Sequence, residues 1–123
     1  KLQFFHVEDL CKIIEAILEN SPKEHILNVG NDDIIDINTF VEMCYQVVGS
    51  KLEKVYIHNY GNQRDYFSFY DYEYILDVSN QNEILSNTIS LKEGLKQSFD
   101  WYINHKDDVV RKDYIKFIDE NLI

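Results

Sequence analysis

Apolar residues recur at spacings of three and four along the chain, and the stretches that show this pattern are predicted to form amphipathic helices. These stretches are residues 7–19, 37–48, 90–102 and 107–123. Local signals agree with the predicted ends. Asp36 is a suitable cap for the second helix and Gly49 a suitable stop. Ser90 and Glu93 have the spacing of a capping box at the start of the third.

Shorter apolar runs predict extended segments between these helices. Strands are predicted at residues 2–7, 25–29 and 52–58, with one or two further extended residues at 34–35. Ser79 is predicted to cap a single helical turn that reaches Leu85. Together these elements predict one domain, residues 1–123, of the α/β or α+β class, with helices packed on a small sheet of short strands.

The formal net charge of −10 restricts the partners of the chain. Proteins that bind nucleic acid usually present a basic patch to the phosphates, whereas Lys and Arg are scattered here. We therefore expect no binding to nucleic acid or to an anionic membrane. No apolar run approaches the roughly 20 residues that span a bilayer. No secretory signal precedes the first strand, and a cytoplasmic location is expected.

Two cysteines, Cys11 and Cys44, each lie inside an apolar helical pattern. Both are predicted to be buried free thiols that pack as small hydrophobic side chains. A disulfide would imply an oxidising compartment, which no other feature supports. No Cys and His spacing matches a zinc site, and no bound metal is predicted.

Four pieces of sequence occur in an order that is typical of one enzyme family. They are His-Val-x-Asp in residues 5–10, Asn-Val-Gly in residues 27–31, Asp-x-Ser with Glu-Ile-Leu in residues 76–85, and Ser-Leu-x-Glu-Gly-Leu with a closing Trp-Tyr in residues 90–102. In this order they resemble the extended short-chain dehydrogenase/reductases, the NAD-dependent epimerase/dehydratases that act on nucleotide sugars. The resemblance covers about residues 3–102. It corresponds to the carboxyl-terminal, substrate-binding part of such an enzyme, so the chain is expected to be a fragment of a longer protein.

This resemblance implies that the amino-terminal Rossmann half is missing. In the family that half carries a Gly-rich loop, whose backbone amides approach the cofactor pyrophosphate. It also carries a catalytic Tyr and Lys spaced four residues apart. Glycines occur here at Gly30, Gly49, Gly61 and Gly94, too far apart for such a loop. NAD or NADP would therefore be bound by the full-length parent, and this fragment is expected to bind no cofactor and to have no turnover alone.

One pair of residues, Tyr102 and Lys106, imitates the spacing of the catalytic Tyr and Lys. Tyr102, however, falls on the closing Trp-Tyr of the family pattern and not on its catalytic helix. We therefore expect Tyr102 to pack in the core and Lys106 to be a solvated charge at a helix end. No catalytic residue is predicted in this chain.

The family resemblance also implies where a substrate would bind. This part of such enzymes holds the nucleotide and phosphates of the substrate, often through arginines that form forked bonds to phosphate oxygens. By position, Arg64 and Asp65 are the candidates for that contact, and Tyr66 and Tyr70 for stacking on a base or sugar ring. Two alternatives remain open. Arg64 could be an exposed side chain paired with an acid, and the aromatic rings could pack against the missing half.

Three functions of different class are compatible with the sequence. The first is the substrate-binding carboxyl-terminal domain of an NAD-dependent epimerase/dehydratase, with a nucleotide-sugar substrate and the missing Rossmann half as partners. The alternative is a non-catalytic binding or scaffold module derived from the same family, and the third is an unrelated helical interaction domain. Loss of a partner half would expose an apolar patch of roughly several hundred Å². That patch is expected to include Phe4 or rings of residues 66–74 and to favour self-association.

Overall fold

A computed structural model describes residues 1–23, 26–50, 53–54, 75–110 and 113 of the chain. This part contains four helices and a two-stranded antiparallel sheet. The predicted mixture of α and β structure is therefore confirmed. The predicted strand 52–58, the aromatic segment that follows it and the predicted tail helix lie wholly or largely outside the described residues.

Helix α1 (Val7–Asn20) begins at a cap by the His6 side chain and ends at Ser21, and helix α2 (Ile37–Val48) begins at a side-chain cap and ends at a glycine. The Asp36 carboxylate caps α2 by accepting a hydrogen bond from the Thr39 backbone N–H at 2.9 Å. This bond holds the pKa of the Asp36 carboxyl below its ordinary value. Gly49 ends α2 at a φ of 75°, a left-handed conformation that glycine adopts without steric cost. The predicted cap and stop of this helix are confirmed.

Helices α3 (Ser79–Ile84) and α4 (Leu91–Asn104) lie later in the chain. The first begins one residue earlier than predicted, because Asp77 accepts a hydrogen bond from the Ser79 backbone N–H at 3.0 Å. Ser79 is therefore the first helical residue, and its predicted role as a cap is wrong. Ser90 does cap α4, since its hydroxyl accepts from the Glu93 backbone N–H at 3.3 Å. The Glu93 carboxylate accepts from Gln97, four residues further along α4.

The Ser90 cap provides a test of α4. Replacing Ser90 by Ala is expected to lower the free energy of unfolding by about 1 kcal/mol, because the Glu93 N–H loses its partner. Ser90→Asn restores a capping oxygen, so the free energy of unfolding of this variant should be close to that of the parent chain. Urea denaturation followed by circular dichroism measures both. Equal stability of the Ala variant and the parent chain would mean that the cap does not stabilise α4.

The sheet is small and joins the start of the chain to the segment before α2. Strand β1 (Leu2–Gln3) pairs with β2 (Ile34–Ile35), with Leu2 opposite Ile35 and Gln3 opposite Ile34. The predicted extended residues at 34–35 are confirmed, whereas β1 is shorter than the predicted strand 2–7. The predicted strand 25–29 is wrong over residues 26–29, which have no regular structure.

The described core is small. Helix α4 packs against α2, and α1 packs against α3. Among the described residues, the buried hydrophobic side chains are Ile13, Val78 and Leu91. The buried polar side chains there are equal in number, and they are Asp9, Asn31 and Gln81. Polar side chains are therefore as numerous as apolar ones among the buried side chains of the described part.

Three side chains differ from the predicted burial. Tyr102 is 45% exposed, so its predicted packing in the core is wrong. Cys11 is exposed and Cys44 is partly buried, and both are free thiols. Burial raises the pKa of the Cys44 thiol. The prediction of a buried thiol is therefore wrong for Cys11, because α1 turns that side of the helix outward.

Candidate functional site

The predicted substrate residues Arg64, Asp65, Tyr66 and Tyr70 lie outside the described residues. Their roles stay predictions. Within the described ranges, no group of His, Cys, Asp and Glu side chains is arranged to hold a metal ion. In the same part of the chain, no helix has both the length and the apolar composition needed to cross a membrane.

Asn31 is the centre of a network of polar contacts between distant segments. Its side-chain amide donates to the Ile89 carbonyl at 2.7 Å, and its side-chain oxygen accepts from the Thr88 hydroxyl at 2.6 Å. Its backbone N–H donates to the Phe4 carbonyl at 2.8 Å. One residue therefore joins the end of the first extended segment to the loop before α4.

Asp9 makes a second contact with the same loop. Its side chain is fully buried, and it accepts from the Ile89 backbone N–H at 2.5 Å and from the Lys12 ammonium at 2.8 Å. Burial acts to raise the pKa of Asp9, but the bonds from Lys12 and Ile89 together outweigh it and hold the pKa below its ordinary value. The ionised carboxylate therefore fixes the loop that leads into α4.

Two glutamine side chains bond to backbone groups as a neighbouring strand would. Gln81 accepts from the Gly30 N–H at 2.8 Å and donates to the Gly30 carbonyl at 3.0 Å. Gln3 accepts from the Leu76 N–H at 2.9 Å and donates to the Asn31 carbonyl at 3.0 Å. Among the described residues, no buried side-chain nitrogen or oxygen lacks a partner. The network is thus saturated by internal bonds, and its role is structural.

A cleft lies between the turn from β1 to α1 and helix α4. It consists of two cavities of about 190 and 360 Å³ that share His6 and Ser98 in their walls. We call the first the inner cavity, the second the outer cavity and the pair the His6 cleft. The inner wall is mainly apolar and includes Phe4, Phe5, Phe40 and Leu95. The outer wall includes Val7, Glu8, Gln97 and Trp101.

The imidazole of His6 is fixed on both sides. Its Nδ1 caps α1 by accepting from the Glu8 backbone N–H at 3.3 Å. A neutral imidazole has one acceptor and one donor nitrogen, so Nε2 carries the proton. A Cβ at Gly94 would lie 2.9 Å from His6 Cδ2, closer than real side chains allow. Glycine at this position therefore permits the ring to lie against α4, with Nε2–H as its donor.

A stripe of apolar side chains runs along the outer side of α1. Val7, Ile14 and Leu18 are 65%, 48% and 77% exposed, and Cys11 lies between them at helical spacing. We call these four residues the α1 stripe. The buried Ile13 lies on another side of the same helix. Helix α1 is thus apolar on two sides, of which one is covered.

Phe4, which the sequence predicts as one possible member of an exposed apolar patch, is partly buried. Its ring stacks on Phe40, with the ring centroids 4.8 Å apart and the planes inclined by 10°. The described part of the chain exposes apolar side chains on α1 and also elsewhere, among them Ile26, Trp101 and Val110, which are 82%, 55% and 84% exposed. The other predicted part of that patch, residues 66–74, lies outside the described residues.

No family model, no curated protein and no solved structure matches this chain. The four pieces of sequence therefore remain a resemblance, and the function drawn from them is a proposal.

Proposed function

We propose that this chain is the substrate-binding carboxyl-terminal part of an NAD-dependent epimerase/dehydratase that acts on a nucleotide sugar. In this proposal the chain has no turnover alone and works with a nucleotide-binding half, and a cytoplasmic location suits it. The observation that carries the proposal is the α1 stripe, which gives this helix a second apolar side.

A helix that is apolar on one side packs against one neighbouring layer, whereas a helix that is apolar on two sides is typical of a position between two layers. Complete burial of a Val, Leu or Ile side chain stabilises a structure by roughly 1.5–3 kcal/mol. Val7, Ile14 and Leu18 are about half or more exposed, so much of this free energy is available to a partner surface. A Rossmann half placed on the α1 stripe would use it. Without that half, the stripe is expected to favour self-association.

The contacts among the four family-like pieces give further support. Asp9 of the first piece bonds to Ile89, which directly precedes the fourth. Asn28 of the second piece donates to the Asp77 carbonyl of the third at 3.1 Å. Asn31 of the second piece also bonds to Ile89. Pieces that belong to one inherited framework are expected to meet in this way.

The described residues do not fit a dinucleotide, and no step is assigned to NAD in this chain. A pyrophosphate site needs free backbone N–H groups in a Gly-rich loop. The Gly30 N–H is bonded to Gln81, Gly49 caps α2, and Gly94 lies inside α4 against His6. The proposal therefore places the cofactor and the catalytic Tyr and Lys in the other half. Arg64, Asp65, Tyr66 and Tyr70 would contact the substrate.

The test uses the product of the complete gene and a panel of UDP-, GDP- and dTDP-sugars with NAD. We expect turnover of at least one sugar by the complete protein and none by residues 1–123. Arg64→Ala should raise KM by roughly tenfold or more, because a charge-assisted bond to phosphate is lost. Arg111→Ala is the matched control, since Arg111 is the other arginine of the chain.

Two results would contradict the proposal. One is a complete gene product without a Gly-rich loop and a Tyr-x-x-x-Lys motif, which would favour the scaffold alternative. The other is a complete protein that binds NAD but leaves every nucleotide sugar unchanged. Equal effects of the Arg64 and Arg111 substitutions would reject Arg64 as a substrate contact.

A further inference from the structure

We propose that the His6 cleft binds a small neutral molecule that carries an apolar ring and a carbonyl oxygen. The ring would occupy the inner cavity, and the carbonyl oxygen would accept a hydrogen bond from His6 Nε2. The site is defined by the geometry and charge of the cleft and does not depend on the proposed function. It concerns a site that the predicted substrate residues do not include.

The inner cavity has the size and lining of a site for one ring. Its volume is about 190 Å³, and its wall is mainly aromatic and aliphatic. An apolar cavity of about 150 Å³ in another protein stays dry and binds benzene. Phe4 and Phe40 offer a stacked pair of rings at one side, and Leu95 of α4 lies at another. A single six-membered ring therefore fits this space.

Among the polar side chains of the inner wall, His6 has a donor of fixed direction, whereas the hydroxyls of Ser90 and Ser98 can rotate. The Ser90 hydroxyl already accepts from the Glu93 N–H, and the Asn31 amide already bonds to Ile89 and Thr88. The Nδ1 atom of His6 is occupied by its bond to the backbone of α1. In this tautomer the Nε2–H of His6 is left to donate to an acceptor atom of a ligand. A carbonyl oxygen attached to the ring supplies that acceptor.

The charge at the outer cavity selects a neutral ligand. Glu8 lies in its wall, and the chain has a formal net charge of −10. A carboxylate ligand would be repelled, whereas a ketone or an amide would not. Trp101 is 55% exposed in the same wall, and its indole stacks on the His105 ring with the centroids 4.7 Å apart, so a ligand that extends from the inner cavity would contact the part of the indole that His105 leaves open.

The proposal can be tested with acetophenone, which has a ring and a ketone, ethylbenzene, which lacks the ketone, and benzoate, which is charged. Each is titrated into the chain labelled with 15N, and amide and imidazole signals are followed by NMR. Acetophenone should shift the signals of His6, Gly94 and Ser98. Ethylbenzene should bind roughly three- to tenfold more weakly, as loss of one hydrogen bond predicts. Benzoate should bind most weakly.

His6→Asp keeps the cap of α1 and removes the donor. Asp is a good N-cap residue, so α1 should remain folded, and its carboxylate has no N–H to donate. We expect acetophenone to bind this variant no better than ethylbenzene does, with circular dichroism unchanged. An unchanged preference for acetophenone would overturn the role of His6.

A variant that fills the cleft tests whether the ligand binds there. Ser98 is exposed and belongs to both cavity walls, so Ser98→Trp should abolish binding without disturbing the core. Ser98→Ala is the matched control and should retain binding. Acetophenone that binds the Trp variant normally, or that shifts signals away from the cleft, would overturn the proposal, as would the absence of shifts at millimolar ligand.

Discussion

Replacing Gln81 by Leu is expected to lower the free energy of unfolding by about 3 kcal/mol. Gln81 is 1% exposed, and its amide bonds to both the N–H and the carbonyl of Gly30. Leu has a similar volume but offers no hydrogen bond. Two buried backbone groups would lose their partners, and each such loss costs roughly 1–3 kcal/mol. Urea denaturation at neutral pH measures the change.

Two companion variants separate this effect from a change in helix α3. Asn80→Leu alters an exposed position of the same helix and should leave the stability nearly unchanged. Gln81→Glu keeps an acceptor for the Gly30 N–H but has no donor for the Gly30 carbonyl. We therefore expect it to lower the free energy of unfolding more than Asn80→Leu does. If Gln81→Leu and Asn80→Leu were equally stable, the Gln81 contacts would have no role in the fold.

Replacing Asp9 by Leu is the second substitution with a large expected effect. It should lower the free energy of unfolding by about 3 kcal/mol at neutral pH, since a buried N–H loses a charged partner. The bonds from Ile89 and Lys12 to the carboxylate are both removed. Asp9→Asn should cost less, because its side-chain oxygen can still accept from the Ile89 N–H.

The pH dependence of the Asp9 effect has a defined sign. The pKa of Asp9 is lower in the folded chain than its ordinary value, which is about 3.9 in an unfolded chain. The stability that the carboxylate contributes is therefore present above about pH 4 and is lost as the pH falls through the folded pKa. The difference between the parent chain and Asp9→Asn should shrink between neutral pH and about pH 3.

Urea denaturation of both chains at several pH values checks this sign. Asp33→Asn, at an exposed position, is the control and should change stability little at any pH. A difference between the parent chain and Asp9→Asn that is constant across the range would contradict the assignment of an ionised, bonded carboxylate at Asp9.

The helices α1, α2 and α4 could be predicted because their signals are local. Periodic apolar residues identify the helix, and a cap or stop lies within a few residues of each end. Asp36 and Gly49 delimit α2, and Ser90 starts α4, as the sequence predicts. None of these signals depends on a distant part of the chain.

The contacts that hold the loops could not be predicted, because their partners are far apart in sequence. Ile26 and Leu27 resemble a strand, yet the adjoining Gly30 backbone bonds to a side chain 51 residues later. Asp9 bonds to Ile89 across 80 residues. A weak signal existed for Asp9, since it lies four residues before the buried Ile13 and therefore on the same side of α1.

The exposure of Cys11 has a different cause. Apolar residues cover more than one side of α1, so the sequence pattern does not tell which side faces the interior. The structure covers the side with Ile13 and leaves the α1 stripe outside. The His6 cleft was missed for a related reason, since Gly94, Ser98 and His6 carry no joint sequence motif and come together only through packing.

Cys11 provides the most direct measurement of the central claim, that the α1 stripe meets a second half. In residues 1–123 with Cys44→Ser, kept at a dilution at which gel filtration shows a monomer, the exposed Cys11 should react readily with iodoacetamide. In the product of the complete gene, carrying the same Cys44→Ser change, Cys11 should react much more slowly until denaturant is added. Equal and rapid labelling of Cys11 in both proteins would contradict the claim.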